Sequence, residues 1–367
     1  METQNPNPNP PVVDGPDAML LHHRGHLRHA FEVESTSDAK DAKTDAKTRV
    51  KTAVTAYYPL QFDALRGASI ADGDEGFAAS LSEVAKWDGG AKGGKSGSLF
   101  GKTRDDRFIV KQLTRVELNA FLGDFGPSYF KHVREPLPHE GDTGEGVTAP
   151  TTTTCLARIV GAYRVSVGEG VDEVSIDFVV IENIFNRRNV TSPEWRTYDL
   201  KGSLRARYNN DDAGDVGDEC PRHSAHTGID PRTDTRSARA VLLDENLQSK
   251  IATDPVLCSL ESKFALDAIL ARDTAFLANE GVMDYSLLAG IDRGTDELVV
   301  GVIDYLRLYT WDKQLETYVK FTGVLGGGVA AEPTVISPVQ YRRRFRKAMA
   351  RYFVVVPSWV RGGWGIR

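Results

Sequence analysis

The chain has 367 residues, 41% apolar and 26% charged, which suits one large globular domain or two lobes around a cleft. A net charge of −6 argues against a general nucleic-acid binder, and no apolar run approaches the roughly 20 residues of a membrane span. The opening residues lack the basic start and apolar core of a secretory signal. Cys155, Cys220 and Cys258 form no CxxC pair, so neither a disulfide framework nor a zinc site is expected, and the expected setting is reducing and cytosolic.

Residues 1–49, rich in Pro, Asn, Asp, Lys and Thr, read as a disordered tail. Ordered patterning is expected from about residue 50, with a helix-like stretch around 77–87. A glycine-rich run follows, ending in Gly93-Gly94-Lys95-Ser96-Gly97-Ser98. Next come two strands around the turn Thr103-Arg104-Asp105-Asp106, which predict a hairpin. Thr114 and Glu117 have capping-box spacing, so a helix is predicted toward Phe125. Strands are predicted at 157–165 and 176–181. Residues 208–239 have almost no apolar content and read as a mobile insertion. A long helix is predicted over 260–279, strands over 285–291 and 298–303, and a final helix over 338–353. That helix carries Arg342, Arg343, Arg344, Arg346 and Lys347, either a solvated face or a surface for anionic lipid. The elements add up to an α+β fold.

Four constellations carry chemistry. Glycines let backbone N–H groups approach phosphate oxygens, which makes Gly94, Lys95, Ser96, Gly97 and Ser98 a candidate nucleotide loop. The run has neither Walker A spacing nor a helix directly after it. Its layout matches the protein-kinase arrangement, in which a hairpin covers the phosphates and a lysine on the next strand pairs with them. Lys111 is that lysine; folding the hairpin about Asp105 places it opposite Leu99. Glu117 suits the glutamate that steadies such a lysine, although a capping-box glutamate needs no catalytic partner. Asp284 and Asp304 are symmetric about Gly294, so an antiparallel hairpin brings both to one open end. Like-charged carboxylates that close repel unless a cation or proton intervenes, and magnesium fits. Strand-end aspartates capping turns are the plainer alternative. Finally, Asp199-Leu200-Lys201-Gly202-Ser203, with Arg205 nearby, suits a ring phosphate, but a tight turn with solvated charges reads equally well.

Together these segments resemble the phosphatidylinositol phosphate kinase family. The matching pieces are the glycine run 93–98, residues 105–111, 199–203, 283–288 and 301–304, in that order. The resemblance covers residues 50–357. Lys86-Trp87-Asp88 ahead of the glycines, residues 305–313 and residues 333–338 make the chain most similar to the catalytic region of phosphatidylinositol-3-phosphate 5-kinases, the PIKfyve type. The resemblance implies a two-lobed fold distantly related to protein kinases, with antiparallel sheets and flanking helices. Its N-lobe would span about 50–183 and its C-lobe about 184–357, with a C-terminal tail over 358–367. It implies ATP-dependent phosphorylation of the 5-hydroxyl of phosphatidylinositol 3-phosphate, with ATP and Mg2+ as cofactors. Lys111 would bind ATP phosphates, Asp284 would be the catalytic aspartate and Asp304 would hold magnesium. Glu182 and Asn183 would line the adenine side, and Lys201 would lie near the lipid phosphate. The loop bearing Lys313-Gln314, where many family members have two lysines, is linked to lipid choice. The large kinases of this type carry upstream lipid-binding and chaperonin-like domains, so a short form or a fragment is expected. It would act on endosomal or vacuolar membranes, with scaffold or regulatory partners. The alternatives are a phosphatidylinositol-4-phosphate 5-kinase and a catalytically dead phosphoinositide-binding scaffold.

Overall fold

The computed structural model describes residues 25–35, 48–87, 99–135, 154–205, 207–209, 240–307, 336–355 and 365–366. The N-terminal half is built on one seven-stranded antiparallel sheet, in the order β1-β2-β6-β7-β5-β4-β3. Its strands are β1 (His26–Ser35), β2 (Thr48–Tyr57), β3 (Val84–Lys86), β4 (Phe100–Thr103), β5 (Phe108–Gln112), β6 (Ile159–Val167) and β7 (Val174–Glu182). Helices α1 (Pro59–Ser69), α2 (Gly73–Leu81), α3 (Arg115–Ala120) and α4 (Gly126–Arg134) belong to the same half. The expected tail therefore needs correcting at its end. Residues 26–35 form a strand in register with residues 48–57. The described side chains of β1 from His26 to Val33 are all exposed, so no buried stripe marked it in the sequence; its backbone pairing with β2 defines it.

The β4–β5 turn is made by Asp105, whose carboxylate accepts from Thr103 Oγ1 and Ser80 Oγ, both at 2.7 Å, and from the Arg107 amide at 3.2 Å. Lys111 pairs with Phe100, one residue from the expected Leu99, and with Val179 on its other side. The helix expected from 114 toward 125 is broken by non-helical Gly123, and α4 follows from Gly126. The helix expected over 77–87 ends at Leu81 and gives way to β3.

The C-terminal half holds β8 (Trp195–Leu200), α5 (Asp244–Lys250), β9 (Val256–Cys258), α6 (Leu260–Asn279), β10 (Ser286–Asp292), β11 (Glu297–Ile303), α7 (Pro338–Tyr352), β12 (Phe353–Val355) and β13 (Gly365–Ile366). Strands β8, β10 and β11 are antiparallel, whereas β13 joins β11 and β12 joins β9 in parallel. The fold is α+β. The predicted insertion at 208–239 lies almost wholly outside the described residues. Among the described residues no helix is long and apolar enough to cross a membrane.

One connection positions the site. Leu156 bridges Val302 in parallel, and the Ala157 and Val302 amides donate to Val302 O and Cys155 O at 2.9 and 2.7 Å. The chain then enters β6, which flanks the β7–β5 pair. The two sheets are thus tied by backbone hydrogen bonds two residues before Asp304. A shared core including Tyr129, Leu156, Leu200, Leu287 and Tyr305 fills the space between them.

Candidate active site

Lys111 projects from β5 with its side chain only 9% exposed. Its Nζ donates to Asp304 Oδ1 at 3.1 Å and to Glu117 Oε1 at 3.4 Å. Burial opposes the ammonium charge, but the carboxylates of Asp304 and Glu117 outweigh it, so the lysine pKa lies above its ordinary value. Glu117 does two jobs with two oxygens. Its Oε2 accepts from the Thr114 amide at 2.8 Å and from Thr114 Oγ1 at 2.9 Å, closing the capping box, which leaves Oε1 for the lysine. The two readings of Glu117 are compatible.

Asp284 and Asp304 lie at the same open end of the β10–β11 hairpin, whose last pair is Ser286 with Ile303. Both adopt the left-handed backbone, with φ of 65° and 60°, a conformation aspartate tolerates far better than most residues and one that ends each strand. Each carboxylate meets its own cation: Asp304 meets Lys111, and Asp284 meets Arg307 at 3.5 Å. Arg307 was not singled out from the sequence; the signal available was a basic residue three beyond Asp304.

Lys201 reaches the same place from the end of β8, donating from Nζ to the Asp284 carbonyl at 2.9 Å. What holds Lys201 is Asp244, fully buried at the start of α5. Its carboxylate accepts from the Lys201 amide (3.0 Å), the Gly202 amide (2.7 Å), Arg207 Nε (2.9 Å) and the Tyr352 hydroxyl (3.0 Å). Arg207 also binds the Asp199 carboxylate at 2.9 Å, so Asp199 supports the turn. Arg205 lies exposed on the same turn. Asp244 was missed because it stands 43 residues from Lys201, across the insertion.

Glu182 ends β7, where its carboxylate takes Arg158 Nε at 2.8 Å; burial nevertheless raises its pKa above the usual carboxylate value. The Asn183 side chain is committed to backbone groups, donating to Asp106 O at 2.8 Å and accepting from the Phe185 amide at 3.1 Å. Gly94, Lys95, Ser96, Gly97, Ser98 and Lys313 fall outside the described residues. Among the described residues no group of three or more His, Cys, Asp or Glu could cage a metal. Asp304, with its side chain 48% exposed, and Asp284 suit a hard cation completed by substrate phosphates, as magnesium is usually held.

The family model for phosphatidylinositol-4-phosphate 5-kinase matches residues 85–298 and 293–352. The chain belongs to this kinase family. Its relatives include a 1-phosphatidylinositol-3-phosphate 5-kinase of Arabidopsis thaliana, 44% identical over 312 residues, 84% of this chain and 15% of that protein. The Saccharomyces cerevisiae 1-phosphatidylinositol 3-phosphate 5-kinase is 37% identical over 370 residues, 97% of this chain and 14% of that protein. The human 1-phosphatidylinositol 3-phosphate 5-kinase is 39% identical over 304 residues, 82% of this chain and 13% of that protein. The chain therefore spans about 15% of the length of the curated relatives it matches. Within the family domain lie β4–β5 with Lys111, the Lys201 turn and Asp284; Asp304 falls in the second matched segment.

Proposed function

We propose that this chain transfers the γ-phosphoryl group of ATP to the 5-hydroxyl of phosphatidylinositol 3-phosphate at a membrane surface of the endosomal or vacuolar kind. The observation that carries this reading is the contact of Lys111 with both Glu117 and Asp304, a lysine–glutamate–aspartate set on three separate elements. The names of the relatives supply the lipid. On this reading the N-terminal sheet and the C-terminal sheet are two lobes of a kinase-like fold, with ATP between them.

Lys111 orients the ATP phosphates, and Glu117 keeps its ammonium aimed at them. Asp284 accepts a hydrogen bond from the attacking hydroxyl and takes its proton as the new O–P bond forms and the bond to ADP breaks. Lys201 holds the phosphate already on the ring; two of its three N–H donors remain for that ligand. Asp304 and Asp284 would hold a magnesium ion, which would supply charge neutralisation at the transferring phosphoryl group.

The test is radiolabelled ATP with vesicles containing each monophosphorylated phosphoinositide separately, followed by headgroup analysis of the product. A 3,5-bisphosphate from the 3-phosphate lipid is expected. Product only from the 4-phosphate lipid would move the chain to the activity named by the family model. No transfer and no binding of magnesium-ATP would leave a phosphoinositide-binding scaffold.

A further inference from the structure

Helix α7 carries five cations in a row of seven residues, 341–347, and the fold sorts them onto different flanks. Tyr341, Phe345, Met349 and Tyr352 face the core. Arg342 and Arg346 lie against α6, with Nη2 atoms 3.4 Å from Ala271 O and 3.5 Å from Asp267 O. Arg343 and Lys347 are exposed. Arg344 is different. It shares the remaining flank with Ala348, against the Lys201 turn. A Cβ added to Gly202 would stand 2.9 Å from Ala348 Cβ, 3.0 Å from Phe345 Cα and 3.3 Å from Arg344 O.

The Arg344 guanidinium lies over the Tyr341 ring, 4.9 Å from its centre, and Tyr341 donates its hydroxyl to the carbonyl of Tyr285, the residue after Asp284. Arg344 Nε is buried with no partner among the described residues, and the same holds for the Tyr285 hydroxyl. A buried donor on a charged group that lacks an acceptor costs stability until an acceptor, such as an anion admitted by a small shift of the side chain, is supplied. The cation also acts on its surroundings: burial raises the pKa of Tyr285 and of Tyr341, and Arg344 is among the charges that oppose the rise.

Resting on the lipid-kinase reading, we infer that Arg344 binds the phosphomonoester already present on the acceptor headgroup, sharing it with Lys201. Arginine suits this task because its planar fork gives two parallel donors to one phosphate, where lysine gives a point charge.

The experiment compares wild type, Arg344→Gln, Arg344→Lys and Arg343→Gln. Lipid turnover is measured at fixed vesicle charge, and binding of soluble inositol 1,3-bisphosphate by calorimetry, with thermal unfolding to verify folding. Arg344→Gln is expected to weaken soluble headgroup binding and raise the KM for lipid by about tenfold or more, the worth of one charge-assisted contact. Arg344→Lys recovers part of the loss, and Arg343→Gln matches wild type for the soluble headgroup. Unchanged headgroup binding in a folded Arg344→Gln protein overturns the assignment. Equal losses for Arg343→Gln and Arg344→Gln, seen only on anionic vesicles, also overturn it, in favour of general membrane attraction. Wild type that binds the headgroup through Arg344 yet phosphorylates no lipid would defeat the kinase reading and leave the anion site standing.

Discussion

The Lys111 side and the Lys201 side of the candidate site are held together by different kinds of bond. On the Lys111 side, charged side chains hold one another: the ammonium contacts Glu117 and Asp304, and Glu117 is anchored in turn by the start of α3. On the Lys201 side, backbone groups do the holding. The Lys201 ammonium rests on the Asp284 carbonyl, and buried Asp244 grips the amides of Lys201 and Gly202. The contrast teaches that on the first side a charge change acts on other side-chain charges, whereas on the second side it reaches the backbone of the turn.

The sharpest break of that contrast is Asp304→Asn. Asparagine tolerates the positive φ of this position, so the shape survives while the charge goes. Phosphate transfer should fall by about a thousandfold or more, the scale on which phosphoryl-transfer charge stabilisation operates. Turnover on lipid vesicles and the thermal midpoint are measured together; full turnover would refute the role of Asp304.

Asp244→Leu probes the other side. Removing Asp244 takes one of two carboxylates from Arg207 and the buried acceptor from the Lys201 and Gly202 amides, at a cost of about 3–5 kcal/mol. Denaturant unfolding should show it. A loss below about 1 kcal/mol would mean that Asp244 does not organise the turn.

A smaller effect separates the two jobs of Glu117. Glutamine at this position can still close the capping box but takes a carboxylate from Lys111, so Glu117→Gln should cost about tenfold in kcat/KM for ATP and only the stability of that one charge contact. Glu117→Ala should add about 1 kcal/mol of instability on top. Equal stability for the two variants would show that the cap contributes nothing.

The smallest effect concerns pH. The Lys111 pKa is raised in the folded protein, so its charge stabilises the fold below the ordinary lysine value of 10.5, and that contribution disappears as pH rises through the higher folded value. The difference in unfolding free energy between wild type and Lys111→Met should therefore be flat through neutral pH and shrink only above 10.5. A difference that already shrinks near neutrality would place the lysine outside this charge set.

Much of this was legible where contacts are local. Helix α6 has the bounds its apolar stripe suggested, β10 and β11 fall within a residue of the expected strands, and the capping box formed as spaced. Strand β1 was hidden because its exposed side chains carry no burial pattern. Asp244 and Arg158 were hidden for another reason: each acts on a residue far along the chain, and nothing nearby in the sequence marks such a partner.

By itself the sequence determined the family, the strand carrying Lys111 and the hairpin that brings Asp284 and Asp304 to one end, because turn residues and residue alternation act over short range. Only the tertiary structure decided that Lys111 meets Asp304, 193 residues away, that one glutamate serves both helix and lysine, and that Asp244 holds the Lys201 turn. Those contacts depend on how two sheets are joined at Leu156 and Val302, and long-range backbone pairing of that kind leaves no periodic trace in the chain.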